Sequence, residues 1–319
     1  SLIARSAGVI QWLWHTNAYM TVENENNIGL IRVDGSAKPE LRVMREFGRL
    51  MQAIGSLLVE GDPPNVWLVA PYAQWFTRPA LGIEATQRAI RALGYGCGVI
   101  PQVVNEYRLG HFLAAGAAPR LIILPGIQYL SQDCWPPLLE YVRAGGRLLV
   151  SGVVTRDAYN LACDPGWLDP AEREAPPSPI SRDEVLHWRD QRIPLVYAGD
   201  KIGSVRKAHQ TLQTRPVGEG TISWSGLPLE LADSPDTLTS IYREIMELHP
   251  LQLPPPGLVT RRIALAHDST LFVAVSESSA PQSIDLDDDI TLTVAPERGG
   301  AVLITADGQM TAFGGCAID

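Results

Sequence analysis

RLIILPGIQYLSQDCWPPLLEYVRAGGRLLVSG, residues 120–152, holds two short apolar runs separated by a helical stretch. Arg120 to Gly126 and Arg147 to Gly152 lack the in–out alternation of a half-exposed strand. Continuous apolar runs of this length fit parallel strands covered on both faces. The stretch between them ends in YVRAGG, whose glycines can supply a helix C-cap. Strand, helix and strand in this order form a unit of a parallel α/β sheet.

The same alternation extends in both directions. Asn65 to Tyr72 is a strand, a helix follows around Ala80 to Leu93, and the GYGCG turn leads to a strand at Gly98-Val-Ile-Pro. From about Thr155 to Arg215 the pattern breaks, and DPGWLDPAEREAPPSPISRDE, rich in proline and charge, reads as an insertion or long loop. The α/β pattern returns with a strand at Gly220 to Gly226 and a helix near Thr237 to Leu248. LQLPPPG at 251–257 marks a boundary. Beyond it, short runs at 259–266, 270–276, 284–286, 290–294 and 301–305 predict a small antiparallel β domain.

Upstream of the EGDPPN linker (60–65) stands a shorter block. GVIQWLW at 8–14 has the character of a parallel strand, and Gly29 to Val33 that of a second short run before an Asp34-Gly35 turn. Pro39 then opens a helix at a tolerated first-turn position. Leu41, Met44, Phe47, Leu50, Met51 and Ile54 recur at three- and four-residue steps, so this helix buries one stripe. One strand, one loop and one helix make no core of their own, and the block reads as the last βα unit of something larger.

Composition bounds the function. The chain has 319 residues, 45% of them hydrophobic, and a formal net charge of −9. No basic run interleaved with aromatics is present, which argues against a nucleic-acid partner. No apolar stretch approaches the roughly 20 residues that span a bilayer, and no signal-peptide pattern opens the chain. Cys97, Cys134, Cys163 and Cys316 show neither CxxC nor zinc-type spacing and read as buried thiols of a reduced, cytoplasmic protein. The Asp285-Leu-Asp-Asp-Asp run lacks the glycine and terminal glutamate of a calcium loop and reads as a solvated hairpin. No metal and no cofactor are expected.

The first block resembles the final strand and helix of the (β/α)8 barrel in clan-A glycoside hydrolases. The likeness rests on Gly8-Val-Ile-Gln-Trp-Leu-Trp, Glu23-Asn-Glu, Ile28-Gly-Leu and Asp34-Gly-Ser-Ala-Lys-Pro-Glu. The second block is similar to the domain that follows the barrel in family 42 β-galactosidases, through Leu121 to Gly126, Leu139 to Gly152, Gly218-Glu-Gly-Thr-Ile and Gly226-Leu-Pro-Leu-Glu. The third is similar to the small β domain of those enzymes. The resemblance implies an α/β fold in three parts. Residues 1–58 would be the end of the TIM barrel. Residues 59–252 would be a class I glutamine-amidotransferase-like (flavodoxin-like) trimerisation domain, and 253–319 the antiparallel β domain. It also implies a homo-oligomer, a trimer in that family, and a carbohydrate substrate. The acid/base and nucleophile glutamates of such enzymes would lie upstream of Ser1, so no catalytic residue is expected in this chain.

QWLWHTNAYMTVENENN, residues 11–27, then becomes one edge of a substrate site. Trp14, Glu23, Glu25, His15 and Asn17 are its candidate sugar contacts, since barrel sites lie at the carboxyl ends of strands. An indole can stack on the apolar face of a pyranose; the competing reading packs Trp14 and Trp12 into the fold. Glu23 and Glu25 reach from one side only, whereas hydrolysis needs carboxyls on either side of the scissile bond. An amidotransferase reaction on the α/β domain needs a cysteine on the turn after Val150, which instead reads Ser151-Gly-Val-Val-Thr, and no partner base is visible. The alternative to a hydrolase portion is a non-catalytic assembly or carbohydrate-binding protein with a vestigial barrel segment.

Overall fold

The computed structural model describes residues 9–11, 13–20, 27–59, 64–77, 79–116, 118–152, 154, 156–169, 172, 178–179, 185–196, 204–205, 211–247, 255–287 and 290–318. It divides into two compact units, one of residues 1–62 with 254–319 and one of residues 63–253.

In the first unit, helix α1 (Pro39–Ile54) begins with Pro39 at its first turn. Leu41, Leu50 and Ile54 are buried, and Phe47 and Met51 pack beside them. The second unit opens with β1 (Val66–Ala70), α2 (Tyr72–Thr77) and α3 (Pro79–Arg91). A wider π turn, Ala92–Gly96, prolongs α3 and Gly98 closes it at φ +66°. This displaces the next strand: it is Gln102–Asn105 (β2), not Gly98 to Pro101. α4 (Leu109–Ala114), β3 (Leu121–Ile127), α5 (Trp135–Arg143) and β4 (Arg147–Gly152) follow where the opening stretch places them.

The region expected as a loop contains β structure among its described residues. Ser178–Pro179 (β5) pairs with Ser204–Val205 (β8), and Val185–Trp188 (β6) pairs with Gln191–Pro194 (β7). Leu186, Trp188 and Ile193 of this hairpin enter the core. Gln213–Val217 (β9) and Gly220–Ser225 (β10) complete the sheet, and helix α6 (Pro235–Met246) follows. The order is β2-β1-β3-β4-β10-β9, all parallel except the β9 edge. An order of 2-1-3-4 and then a fifth parallel strand is that of doubly wound, flavodoxin-like sheets. Side-chain alternation divides the core: Val66 and Leu68 face one hydrophobic cluster, Trp67 and Val69 the other.

The chain then adds β11 (Leu258–Ala264), β12 (Thr270–Ser276), β13 (Gln282–Asp287), β14 (Ile290–Val294), β15 (Gly299–Ile304), β16 (Met310–Gly314) and β17 (Cys316–Ile318). They form antiparallel sheets of order β11-β12-β15-β16 and β13-β14-β17. Leu265, Leu271, Val273, Ala301 and Leu303 cover the apolar stripe of α1, so the first and last stretches of the chain share one core.

Candidate functional site

The stretch 8–14 was expected as a strand, but its described residues pair only where it ends. His15 bridges Ile31 in parallel, with Ile31 N–H donating to Trp14 O (3.0 Å) and Thr16 N–H to Ile31 O (2.8 Å). A ladder needs a partner along its length, and among the described residues only this short segment supplies one. Ile31 in turn bridges Ala37 in antiparallel fashion across the Asp34-Gly35 turn. Gly35 takes φ +82°, and Asp34 Oδ1 accepts the Ser36 N–H at 2.9 Å. The Ser36 contacts hold the Asp34 carboxyl below its ordinary value. Arg32 ties the hairpin's second arm by donating to Ala37 O at 2.8 Å.

Gly29 sets how closely the two segments approach. A Cβ there would stand 2.1 Å from Thr16 N and 2.2 Å from His15 C. Gly29→Ala is therefore expected to part the His15–Ile31 pairing at a cost of about 1–3 kcal/mol, the usual range for overpacking. Thermal unfolding of the variant checks this, and an unchanged melt would contradict it.

This pairing presents Trp14 57% exposed. His15 and Asn17 are exposed too, and Asn17 Oδ1 accepts the Tyr19 N–H at 3.1 Å. Trp14, His15 and Asn17 thus stand on one solvent-facing stretch. Trp12, Glu23 and Glu25 lie outside the described residues.

The second unit holds a polar cluster at the carboxyl ends of its parallel strands. β3 bulges between Leu124 and Ile127, with Gly126 at φ +54°. The Gly126 N–H is thereby turned onto Ser151 Oγ (2.8 Å) and Glu230 Oε2 (3.0 Å). Ser151 Oγ–H donates to Glu230 Oε2, and Tyr242 O–H donates to Glu230 Oε1 at 2.9 Å. Ser151, Glu230 and Tyr242 are all at 0% exposure. Burial raises the Glu230 carboxyl above the ordinary glutamate range, against the pull of its donors. Among the described residues Ser151 is engaged by the Gly126 N–H and a buried carboxyl, with no imidazole among its partners, which makes it a structural tie.

A second tie lies nearby. The Glu106 carboxylate, 2% exposed, accepts from Ala73 N–H and from Ser131 N–H (3.0 Å). Gln74 Nε2 donates to Gly126 O (2.8 Å), and its Oε1 accepts from Gln128 N–H (2.6 Å) and Tyr129 N–H (3.3 Å). The loops after β1, β2 and β3 are thereby bound together. Sequence reasoning placed none of these residues at a site. The one local signal was an acid amid apolar neighbours in Leu229-Glu-Leu-Ala. The four cysteines are free, three of them buried. Burial pushes Cys97 and Cys134 up to about 12 and Cys163 and Cys316 to about 11. No helix among the described residues is long and apolar enough to cross a membrane.

No protein-family model matches the chain, and no curated protein does. Solved structures do. A catalytic mutant of a GH42 beta-galactosidase from G. stearothermophilus matches with TM-score 0.64 at 14% identity, over 99% of this chain and 48% of that one. The beta-galactosidase from Bacillus circulans sp. alkalophilus matches with TM-score 0.59 at 12% identity, over 95% of this chain and 49% of that one. A beta-galactosidase from the Antarctic haloarchaeon Halorubrum lacusprofundi matches with TM-score 0.55 at 16% identity, over 89% and 45%. The chain spans about half the length of the solved structures it matches. At these identities the likeness is one of fold: an α/β architecture similar to that of GH42 structures, with a mostly parallel central sheet and additional antiparallel sheets.

Proposed function

We propose that this chain is the C-terminal portion of a glycoside hydrolase that cleaves β-galactosidic bonds. The observation that carries the reading is the fold match, which runs along 99% of this chain yet 48% of a GH42 beta-galactosidase. In this reading residues 1–58 contribute the end of a (β/α)8 barrel. Residues 59–252 form an amidotransferase-like assembly domain of a homo-oligomer, a trimer by the resemblance, and 253–319 the small β domain. The catalytic glutamate pair comes from the rest of the barrel. Trp14 then serves as a stacking face for a sugar ring, with His15, Asn17, Glu23 and Glu25 offering groups to its hydroxyls. Support comes from the exposure of Trp14, His15 and Asn17 on one backbone stretch immediately beside a parallel bridge. Barrel enzymes place their substrate contacts at that position relative to a strand.

The test is hydrolysis of nitrophenyl β-galactoside by this chain and by the full-length gene product. Turnover by the full-length product alone is expected. Turnover by the 319-residue chain would overturn the assignment of the catalytic pair to other residues, and inactivity of the full-length product on every glycoside would overturn the hydrolase reading. In the full-length enzyme, Trp14→Ala is expected to raise KM about ten-fold with kcat little changed, because loss of a stacking face weakens ground-state and transition-state binding alike.

A further inference from the structure

Four of the five parallel strands of the α/β unit lead, at their carboxyl end, into a segment that bears an aromatic ring. Tyr72 and Phe76 follow β1, Tyr107 follows β2, Tyr129 follows β3 and Tyr159 lies beyond β4. Tyr72 is 39% exposed, Tyr107 59%, Phe76 75% and Tyr159 84%. The rings of Tyr72, Phe76 and Tyr107 are gathered rather than scattered. The Tyr72 centroid is 5.2 Å from that of Phe76 and 6.2 Å from that of Tyr107, edge-on in both pairs. Burial, then the neighbouring Glu106, pushes the Tyr107 phenol above its ordinary value.

The segments beneath are held rigidly. Glu106 joins the start of α2 to Ser131, Gln74 joins α2 to the backbone of Gly126, Gln128 and Tyr129, and Asn105 Oδ1 caps the Tyr107 N–H at 2.9 Å. Asp157 Oδ1 accepts from Tyr159 N–H (2.9 Å) and Leu161 N–H (2.8 Å), and Leu130 N–H donates to Arg156 O at 3.3 Å. A surface held in place before binding loses less freedom when a ligand arrives. The patch also spans the point between β1 and β3 where the strand order reverses, the place where open α/β sheets bind ligands.

The chemistry selects a ligand class. Arg108 lies over the Phe112 ring and Arg156 bonds Asn160 O, so these two cations of the segments are engaged elsewhere, which disfavours an anion. The hydroxyls of Tyr72, Tyr107, Tyr129 and Tyr159 make no hydrogen bond to another described residue. Ring faces with unused O–H groups match a neutral polyhydroxylated ring, whose apolar face stacks and whose rim hydrogen-bonds. We infer that Tyr72, Phe76 and Tyr107 form a binding surface for a neutral oligosaccharide on the α/β unit. The choice of a galactose-containing chain rests on the hydrolase reading above. A second grip on a polymeric substrate would raise its effective concentration at the enzyme.

The test is calorimetric titration of the 319-residue chain with lactose, galactotetraose and soluble galactan. Binding of the tetraose is expected, weakened about ten-fold by Phe76→Ala and by Tyr107→Ala and retained within about three-fold by Tyr107→Phe, on the usual worth of an aromatic contact. Unchanged thermal melts of these surface variants would show that the fold is intact. Absence of binding to all three probes, or binding indifferent to both alanine variants, overturns the proposal. So does a patch whose alanine variants alter only self-association in sedimentation, which would make it a protein interface. If the full-length product hydrolyses nitrophenyl β-galactoside while no probe binds here, the surface proposal fails alone. If it hydrolyses nothing and the tetraose still binds through Phe76 and Tyr107, the hydrolase reading fails and the surface stands.

Discussion

Truncation of Glu230 to alanine is expected to destabilise the α/β unit by about 3–5 kcal/mol, because it orphans several buried groups at once and each costs about 1–3 kcal/mol. The Ser151 hydroxyl, the Gly126 N–H and the Tyr242 hydroxyl all point at this carboxyl, and the residues that bear the hydroxyls are fully buried. The effect spreads across the sheet, since Gly126 belongs to β3, Ser151 to β4 and Tyr242 to α6. Urea unfolding followed by tryptophan fluorescence measures it; a loss under about 1 kcal/mol would mean that water replaces the lost partner.

Glu230 also gives a pH signature. Its carboxyl titrates above the ordinary 4.5 because burial penalises the charge. Burial likewise raises Glu106. A folded-state pKa above the unfolded one means that the folded protein holds its proton more tightly. The associated stability is fully present below the unfolded value and is lost as pH rises through the folded one. Glu230→Gln removes one of the two titrations. The stability of the native chain relative to this variant is therefore expected to be largest below pH 4.5 and to fall as pH rises above it. A difference that grew with pH instead would show that the site favours the carboxylate.

The second large effect is at Trp224 on β10. It is 1% exposed, its indole N–H donates to Gly152 O at 3.0 Å, and its ring meets Trp167 edge-on at 5.3 Å. Trp224→Ala is expected to cost about 3–5 kcal/mol, the range for removing a fully buried aromatic. Trp167 is tied in turn to the edge strand: Arg215 lies 5.6 Å over its ring and bonds both Glu172 oxygens at 2.9 and 2.7 Å. Loss of Trp224 should therefore loosen the segment around Trp167 as well. Protease cleavage within 155–180 of the folded variant, faster than in the native chain, is the readout, and equal rates would separate the two features.

Much of the α/β unit could be read from local pattern. Arg147–Gly152 forms as read, and β1, β3, β10 and α6 lie within a few residues of their predicted bounds, because buried parallel strands are apolar throughout and helix ends carry glycine or proline. β2 was misplaced because GYGCG looks like a turn, whereas the chain first extends its helix by a π turn through Gly96. The β6–β7 hairpin was hidden in a segment rich in proline and charge, since its core contribution rests on Leu186, Trp188 and Ile193, few and widely spaced. β16 and β17 were missed because their residues alternate little between apolar and polar.

For the candidate site, residue character pointed to Trp14, His15 and Asn17, and the fold leaves all three facing solvent. By itself, then, the sequence determined most elements of the α/β unit and the chemistry available at 11–27, since both follow from residue type and spacing within a dozen positions. Only the tertiary structure decided what covers the stripe of α1, which is Leu265, Leu271 and Val273 from more than 200 positions away. It alone turned Glu230 into a buried tie among Gly126, Ser151 and Tyr242, and gathered the rings of Tyr72, Phe76 and Tyr107. The physical reason is common to all three. Periodicity tells a residue which face it occupies, but its neighbour across that face is fixed by sheet order and burial, which no local spacing encodes.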